Sequence, residues 1–202
     1  MNNKFKLLPV KPFQETLHGG YCGPASLKMV LDYYGVTKSE KELAEMLKCD
    51  PEHGTDDKSI AETAKDLGFK VEIKEESSFK DIKGWLDKKV PVIIDWFTRG
   101  RYDYPEDDVA DGHYSVAIGL DNRFIYLQDP EVGRVRKINK EDFYRVWFDF
   151  STDYFERSEK QGSCRRQVLI SNEVRNKVLP KAGSYIKKCE DLILRQLIAI
   201  YR

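Results

Sequence analysis

Residues 14–31 read QETLHGGYCGPASLKMVL, and their second half carries the clearest helix signal in the chain. Apolar side chains recur there at the three- and four-residue spacing of one helix face: Leu27, Val30, Leu31 and Tyr34. Pro24 suits the first turn of a helix, because the N–H that proline lacks would have no partner there. Gly35 supplies a stop signal at the other end. The pattern therefore predicts a helix over 22–34 that begins at Cys22.

A cysteine in the first turn of a helix faces unpaired backbone N–H groups and the positive end of the helix dipole, which favours the thiolate. Cys22 has this position, and three nearby glycines leave its sulfur open to a substrate backbone: Gly19, Gly20 and Gly23. The other cysteines lack such surroundings, and we interpret them as small apolar core residues: Cys49, Cys164 and Cys189. Cys22 is therefore the candidate nucleophile.

A thiolate that attacks a carbonyl needs a proton shuttle, and the candidate is a histidine at the start of an apolar strand. His113 opens the stretch HYSVAIGL, and Asp129 ends the next strand-like stretch, IYLQD. If the two stretches form a hairpin, the aspartate lies close enough to hold the imidazole in the required tautomer. Gln14 could donate its side-chain amide to a developing oxyanion, together with the backbone N–H of Cys22.

Each of these residues also has an ordinary structural interpretation. A histidine on a strand is often a satisfied structural group, a glutamine before a helix is often plain surface, and Asp-Pro after a strand is often only a turn. The combination carries the prediction, because the four residues come in the order Gln, Cys, His, Asp and each stands at the end of an element.

The remaining pattern places helices mainly in the first half of the chain and strands in the second. Further helices are predicted over 39–48, 56–67, 78–88 and 140–147. Ser39 and Glu42 form a capping-box pattern, and Asn139 caps the last helix. Strands are predicted over 69–73, 91–97, 113–120, 124–128, 134–138 and 166–170. This order favours an α+β fold in which an N-terminal helical half packs on an antiparallel sheet.

The end of the chain has a helical pattern. Over 172–202, apolar residues lie along one side of the predicted helix: Ile186, Cys189, Leu192, Ile193, Leu197 and Ile200. We therefore predict one domain over 1–171 and a helical C-terminal extension over 172–202. We expect its last part, 184–202, to pack back on the domain, and a homodimer contact through this helix is the alternative.

The composition excludes several classes of function. The 202 residues include 34 Lys and Arg and 34 Asp and Glu, so no field of one sign favours nucleic acid or an anionic membrane. The longest apolar runs are too short to span a bilayer and the first residues lack a signal-peptide pattern, so we expect a cytoplasmic protein. No Cys-x-x-Cys or His-x-x-x-His pattern occurs, and we expect neither a metal ion nor a cofactor.

A polar stretch over 98–112 precedes the candidate base. It contains two tyrosines and a group of acidic residues: Tyr102, Tyr104, Asp103, Glu106, Asp107 and Asp108. The stretch either lines the substrate cleft or is a solvated surface loop. In the first case its acidity suits a basic or amine-bearing substrate.

Three separated stretches, YCGPASLKMVL, DGHYSVAIGL and LQDPEVGRVRKINKEDFYRVW, resemble the bacteriocin-processing, double-glycine leader peptidases and their stand-alone relatives, which are papain-like cysteine peptidases. The resemblance covers residues 14–147 and implies the papain-like fold. It implies Cys22 as nucleophile and His113 as base. It further implies Asp129 as the orienting residue and Gln14 as an oxyanion donor. Gln14 stands eight residues before Cys22, farther than is usual in these relatives, so the intervening loop carries an insertion.

The residues and the resemblance support one main hypothesis and two others. In the main one, a cysteine peptidase hydrolyses bonds in a peptide or protein substrate through a Cys-His-Asp triad and a thioester intermediate. An acyl or peptidyl transferase would use the same triad with an amine or thiol acceptor. A non-catalytic peptide-binding module would retain only the cleft.

Overall fold

The computed structural model describes residues 6–17, 20–49, 54–98, 111–150 and 192–202. Within these ranges the helices are α1 (Cys22–Tyr33), α2 (Glu40–Met46), α3 (Asp57–Asp66), α4 (Phe79–Asp87) and α5 (Lys140–Val146). The strands of the same ranges are β1 (Lys70–Lys74), β2 (Val92–Thr98), β3 (Asp111–Leu120), β4 (Phe124–Asp129), β5 (Arg134–Asn139), β6 (Phe148–Phe150), β7 (Leu192–Leu194) and β8 (Leu197–Tyr201). Every element predicted between residues 22 and 147 is present within two residues of its predicted ends, and the α+β class is confirmed.

Six strands form one antiparallel sheet in the order β1-β8-β2-β3-β4-β5. The register between β2 and β3 places Trp96 opposite His113 and Asp95 opposite Tyr114. Strands β3 and β4 form the predicted hairpin. A separate two-stranded sheet pairs β6 with β7. The hairpin therefore brings the first residues of β3 toward the last residues of β4.

The helices cover both faces of the six-stranded sheet. On one face, α1, α2 and α3 bury a cluster of apolar side chains that includes Leu27, Leu43 and Ile60. On the other face, α4 and α5 bury a second cluster that includes Ile82 and Phe143. Both faces of the central strands are therefore buried, which explains why these strands are almost entirely apolar.

Side-chain caps determine where α2 and α5 begin. The Glu42 N–H donates to Ser39 Oγ at 3.1 Å and the Ser39 N–H donates to Glu42 Oε2 at 2.8 Å, so the predicted capping box is present. Asn139 Oδ1 accepts the N–H of Glu141 at 2.9 Å. Both predicted caps are confirmed.

No helix in the described ranges combines the length and the apolar character needed to cross a lipid bilayer.

The prediction of a helical C-terminal extension is wrong over residues 192–201, which form β7 and β8. Strand β8 lies inside the sheet, with Ile198 opposite Ile73 on one side and Ile93 on the other. Because both of its faces are buried, the run LIAI has no polar residues to reveal a period of two, and the same spacing also fits a helix. The helix that would have carried a homodimer contact is therefore absent from this part of the chain.

Other predictions fall partly or wholly outside the described residues. The predicted strand 166–170 lies outside them, and so does the first part of the predicted extension, 172–191. The predicted boundary between the domain over 1–171 and this extension also lies outside the described residues. Residues 99–110 of the predicted polar loop also lie outside the described residues. The ends of that loop belong to β2 and β3, because these strands extend to Thr98 and begin at Asp111.

Candidate active site

Cys22 is the first residue of α1, as predicted. A Cβ added at Gly23 would lie 2.6 Å from Thr55 Cβ, so glycine at this position lets the first turn of the helix pack against Thr55. The Sγ atom of Cys22 accepts a hydrogen bond from the backbone N–H of Tyr114 at 3.5 Å. Because Tyr114 directly follows His113 on β3, this contact brings the sulfur next to the imidazole.

His113 and Asp129 meet at the end of the β3–β4 hairpin. The Nε2 atom of His113 lies 2.9 Å from Asp129 Oδ1. The side chains are buried, with 7% of His113 and 1% of Asp129 exposed. The ring also interacts electrostatically with the Cys22 side chain. Because Asp129 holds Nε2, the nitrogen that this pair leaves available for the thiol is Nδ1.

Burial and charge act in opposite directions on His113. Burial lowers the pKa of an imidazole, because it disfavours the charged form. The charge of Asp129 and its hydrogen bond outweigh this effect, and the contact with Cys22 adds to them, so the pKa of His113 lies well above its ordinary value. The ring therefore favours the imidazolium form, which can donate a proton to a leaving group.

Arg136 on β5 is a member of the site that the sequence pattern did not reveal. Its Nε atom forms an ion pair with Asp129 Oδ2, and its Nη2 donates to Glu131 Oε2 at 2.9 Å. The backbone N–H of Glu131 donates to Asp129 Oδ1 at 2.9 Å. Burial raises the pKa of Asp129, but the charges of His113 and Arg136 outweigh burial and hold that pKa below its ordinary value. Asp129 is thus kept in the ionised form that orients the imidazole.

Trp96 covers one side of the His113 ring, and sequence reasoning missed it as well. The two ring centroids are 5.9 Å apart and the planes meet at 63°. The Trp96 Nε1–H donates to Ser115 Oγ at 3.0 Å, which fixes the orientation of the indole. The guanidinium of Arg136 lies 5.8 Å from the indole centroid. Trp96 is 4% exposed, so it excludes water from this side of the imidazole.

The N-terminal segment brings Gln14 to the turn that follows Asp129. The Nε2 atom of Gln14 donates to the carbonyl oxygen of Glu131 at 3.2 Å. Gly133 makes this approach possible, because a Cβ there would lie 2.7 Å from Gln14 Cβ and its φ is +61°. A glutamine amide has a second N–H. The oxyanion role of Gln14 stays a prediction, whereas its contact with the turn after Asp129 is a finding.

Glu15 is an acid near the His113–Asp129 pair that the sequence pattern also did not reveal. Its backbone N–H donates to the carbonyl oxygen of Pro130 at 2.8 Å. Burial raises the pKa of Glu15 to about 7; the positive charge of His113 opposes this rise, and the negative charge of Glu131 adds to it. Within the described residues its buried Oε2 atom has no hydrogen-bond partner.

His113, Asp129 and Glu131 each offer one atom that could ligate a metal ion, and these three atoms lie within 4.8 Å of one another. However, the imidazole and the Asp129 carboxylate already bond to each other, and Arg136 supplies positive charge to both carboxylates. A metal ion would have to displace this guanidinium. The arrangement therefore fits a Cys-His-Asp triad supported by an arginine better than a metal centre.

The model of the Peptidase_C39 like family matches residues 7–154. The chain belongs to this family. The matched range contains all four predicted site residues: Gln14, Cys22, His113 and Asp129. The resemblance to the bacteriocin-processing peptidases is therefore confirmed, and the C39 family supports a cysteine peptidase fold.

Two curated proteins illustrate the relationship within the C39 family. The chain is 29% identical over 128 residues to the transport/processing ATP-binding protein ComA of Streptococcus pneumoniae, covering 62% of this chain and 16% of ComA. It is 34% identical over 134 residues to an uncharacterized protein of Methanothermobacter marburgensis, covering 63% of this chain and 78% of that protein. The chain thus spans most of the second relative but only a small part of ComA.

Solved C39 structures share the fold. The peptidase domain of Streptococcus ComA, a bi-functional ABC transporter involved in quorum sensing, has a TM-score of 0.54 and 27% identity, covering 68% of this chain and 92% of that domain. A double glycine motif protease from an AMS/PCAT transporter, in complex with the leader peptide, has a TM-score of 0.54 and 22% identity. The match covers 70% of this chain and 87% of that protease. These matches confirm the papain-like α+β fold.

Proposed function

We propose that this chain is a cysteine peptidase that hydrolyses peptide bonds through Cys22, His113 and Asp129. The observation that carries the proposal is the position of the His113 imidazole. Its Nε2 lies 2.9 Å from a buried carboxylate, and the backbone N–H of the next residue, Tyr114, donates to the thiol sulfur of Cys22 at 3.5 Å. A thiol nucleophile can be activated by an adjacent base, and a third group that orients this base completes such an arrangement. Membership of the Peptidase_C39 like family supports the same reaction class.

In the first half of the proposed reaction, Cys22 and His113 start as a thiolate and an imidazolium, the ring having taken the thiol proton, and the sulfur attacks the carbonyl carbon of the peptide bond. A C–S bond forms, and the carbonyl oxygen becomes an oxyanion. The backbone N–H of Cys22 and the second amide N–H of Gln14 stabilise its charge. The imidazolium then protonates the nitrogen of the leaving amine, the C–N bond breaks, and a thioester remains. Asp129 keeps the ring in the orientation that both proton transfers require.

Water completes the reaction. The neutral His113 ring accepts a proton from a water molecule, whose oxygen attacks the thioester carbon. The C–S bond breaks, the carboxylic acid product leaves, and the sulfur of Cys22 recovers its proton from the imidazolium. Trp96 and Arg136 contribute by keeping the His113–Asp129 pair dry and ionised.

The substrate class that we propose is a peptide or an unfolded segment of a protein. The AMS/PCAT protease, whose fold this chain shares, holds a leader peptide in its structure. A thiol at the N-terminus of a helix can be approached by an extended peptide, which presents its carbonyl to the sulfur and to the helix N–H groups together.

Two measurements test the proposal. Iodoacetamide should label Cys22 at least about tenfold faster than Cys49 near neutral pH, because a thiolate is the reactive species. The purified chain should also cleave members of a peptide library, and Cys22→Ala should abolish this cleavage, whereas the matched variant Cys49→Ala should retain it. Slow labelling of Cys22 together with an absence of cleavage would overturn the proposal.

The same experiment separates the two other functions. Added amine or thiol acceptors would form a conjugate with the acyl group if the enzyme is a transferase, and the conjugate would then replace the hydrolysed product. Tight peptide binding that is unaffected by Cys22→Ala, without cleavage or conjugation, would identify a peptide-binding module.

A further inference from the structure

Strand β3 changes its neighbours beside the nucleophile. The register between β3 and β4 begins at Val116, opposite Gln128, whereas the register between β2 and β3 continues to Asp111. Among the described strands, Tyr114 therefore pairs with β2 alone. Its backbone N–H and C=O point to the same side of the strand, and such groups are costly to bury without hydrogen-bond partners. Tyr114 thus needs partners from outside the sheet.

Helix α1 supplies both partners. The backbone N–H of Tyr114 donates to Cys22 Sγ at 3.5 Å, and the carbonyl oxygen of Tyr114 accepts a hydrogen bond from the Ser26 hydroxyl at 3.1 Å. Cys22 and Ser26 are four residues apart, so they lie on the same side of the helix, one turn from each other. The two contacts together dock the first turns of α1 on the strand that carries His113.

The Ser26 hydroxyl is buried where α1 otherwise presents no polar side chain. Ser26 is 0% exposed, and the other buried residues of α1 are glycine, proline or apolar. A hydroxyl costs free energy in such surroundings unless it forms a hydrogen bond. Serine in a helix can bond to the carbonyl one turn earlier, but Ser26 donates instead to Tyr114, 88 residues away in the chain. Alanine is slightly smaller and would fit the same space, so packing alone does not account for the hydroxyl.

The contact between Tyr114 and Cys22 matters for the proposed reaction, because the sulfur is the reacting atom. An N–H that donates to a sulfur favours the thiolate, since hydrogen bonds to the charged form of a group stabilise that form. The N–H and the sulfur belong to β3 and α1, so their 3.5 Å separation depends on how closely these two elements approach. Tyr114 also follows His113 directly, so the same approach determines the distance between the thiol and the imidazole. A hydrogen bond that fixes this approach therefore acts on both reacting groups.

We propose that Ser26 is a positioning residue for the nucleophile. Its hydroxyl holds Tyr114 against α1, which keeps the Tyr114 N–H on the Cys22 sulfur and keeps the thiol beside the His113 ring. The N–H of Tyr114 touches the reacting sulfur and stabilises its negative charge, whereas Ser26 acts only through Tyr114. This inference rests on the proposed peptidase function, and it adds a residue that the triad itself does not contain.

The pH dependence of thiol labelling tests the role of Ser26. Ser26→Ala should slow the iodoacetamide labelling of Cys22 by at least about fivefold near neutral pH, because a smaller fraction of the sulfur is thiolate. Near about pH 10 the labelling rates of Ser26→Ala and wild type should agree within about twofold, because a thiol ionises there without help. Equal rates at neutral pH would overturn the proposal. The same loss at both pH values would also overturn it, since that result indicates only altered access to the sulfur.

Two further variants separate the hydroxyl from a general loss of packing. Ser26→Thr retains a hydroxyl that can reach Tyr114 and should restore the labelling rate near neutral pH to within about threefold of wild type. Ser77→Ala is the matched control, because Ser77 is 1% exposed and its hydroxyl donates to the carbonyl oxygen of Lys74 at 3.0 Å, in the turn between β1 and α4. This control should label like wild type. A loss in Ser77→Ala as large as that in Ser26→Ala, or labelling of Ser26→Thr as slow as that of Ser26→Ala, would contradict the positioning role.

Peptide kinetics separate this inference from the proposed function. With a peptide that the wild type cleaves, Ser26→Ala should lower kcat near neutral pH by at least about fivefold and leave KM within about twofold, because the change affects the reacting groups and not the binding of substrate. If no peptide is cleaved but the labelling results are as expected, the positioning role stands and the peptidase proposal falls. If peptides are cleaved and Ser26→Ala labels and cleaves like wild type, the positioning role is wrong and the peptidase proposal stands.

Discussion

Thr16 donates hydrogen bonds to the carboxylate of Glu40 from both its backbone N–H and its hydroxyl group. Its backbone N–H lies 3.1 Å from each carboxylate oxygen, and its hydroxyl lies 2.5 Å from Oε2. Glu40 is 5% exposed and is the first residue of α2, whose start is itself fixed by a capping box. The pair therefore ties the N-terminal segment to a rigid helix two residues after Gln14. We therefore predict that Glu40 positions the side-chain amide of Gln14, to which it is linked through Thr16 and the backbone of residues 14–16.

This relationship predicts a coupling between two substitutions. Gln14→Ala should lower kcat by about 10²-fold, because an oxyanion donor is lost. Glu40→Gln should lower kcat by only about fivefold, with KM nearly unchanged, because it loosens the same donor. In the double variant, adding Glu40→Gln to Gln14→Ala should not lower kcat any further, because the donor that Glu40 positions is already gone. Steady-state kinetics measure this cycle, with the exposed Glu45→Gln as control, and an undiminished effect in the double variant would contradict the positioning role.

Trp96→Phe should weaken both stability and catalysis. Phenylalanine keeps an aromatic ring against His113 but cannot donate to Ser115 Oγ, so the free energy of unfolding should fall by about 1 kcal/mol. The smaller ring also admits water to the His113–Asp129 pair, and kcat/KM should fall by about three- to tenfold. Urea denaturation and peptide kinetics measure the two effects. Trp85→Phe, a change on the half-exposed side of α4, should leave kcat/KM unaltered, and equal losses in both variants would count against the prediction.

Arg136→Gln should shift acid unfolding to higher pH. The native pKa of Asp129 lies below its ordinary value, so the stability that this carboxylate contributes is present above the unfolded pKa and is lost as pH falls through the native pKa. Without the guanidinium, the native pKa of Asp129 rises, and that stability is lost at a higher pH. The midpoint of acid unfolding, followed by near-UV circular dichroism, measures the shift. Arg123→Gln, an exposed change, should leave the midpoint in place, and an unmoved midpoint in Arg136→Gln would refute the role.

Glu15→Gln should change how stability depends on pH. The pKa of Glu15 is raised from 4.5 to about 7, so the folded chain binds more protons than the unfolded chain between these values. Stability therefore falls as pH rises through this window, by an amount on the order of 1–3 kcal/mol. The glutamine of the variant cannot ionise, so the free energy of unfolding of the variant should not show this decrease between the two pH values. Unfolding free energies at about pH 5 and about pH 8 measure it, and the exposed Glu72→Gln should behave like wild type.

Most of the fold could be predicted because its signals are local. The capping box of Ser39 and Glu42, the proline after Cys22 and the glycine stop at Gly35 each act within a few residues. Alternating or continuous apolar runs marked β1 to β5 for the same reason. The hairpin that joins His113 to Asp129 was also predictable, because a short turn separates its strands.

The parts that were missed depend on contacts between distant residues. The apolar run of β8 is buried on both faces, so its pattern contains no period by which a strand differs from a helix. Arg136 stands on a half-exposed strand, and nothing within its own neighbourhood indicates that its side chain reaches Asp129.

The position of β8 also constrains when the sheet can form. Residues 197–201 fill the gap between β1 and β2, although β1 ends more than a hundred residues earlier in the chain. On the ribosome, β1 has no neighbour to pair with until the codons for β8 have been translated and the segment has left the exit tunnel. The sheet is therefore completed only after more than a hundred residues beyond β1 have been synthesised, and until then β1 and one edge of β2 lack the strand that pairs with both.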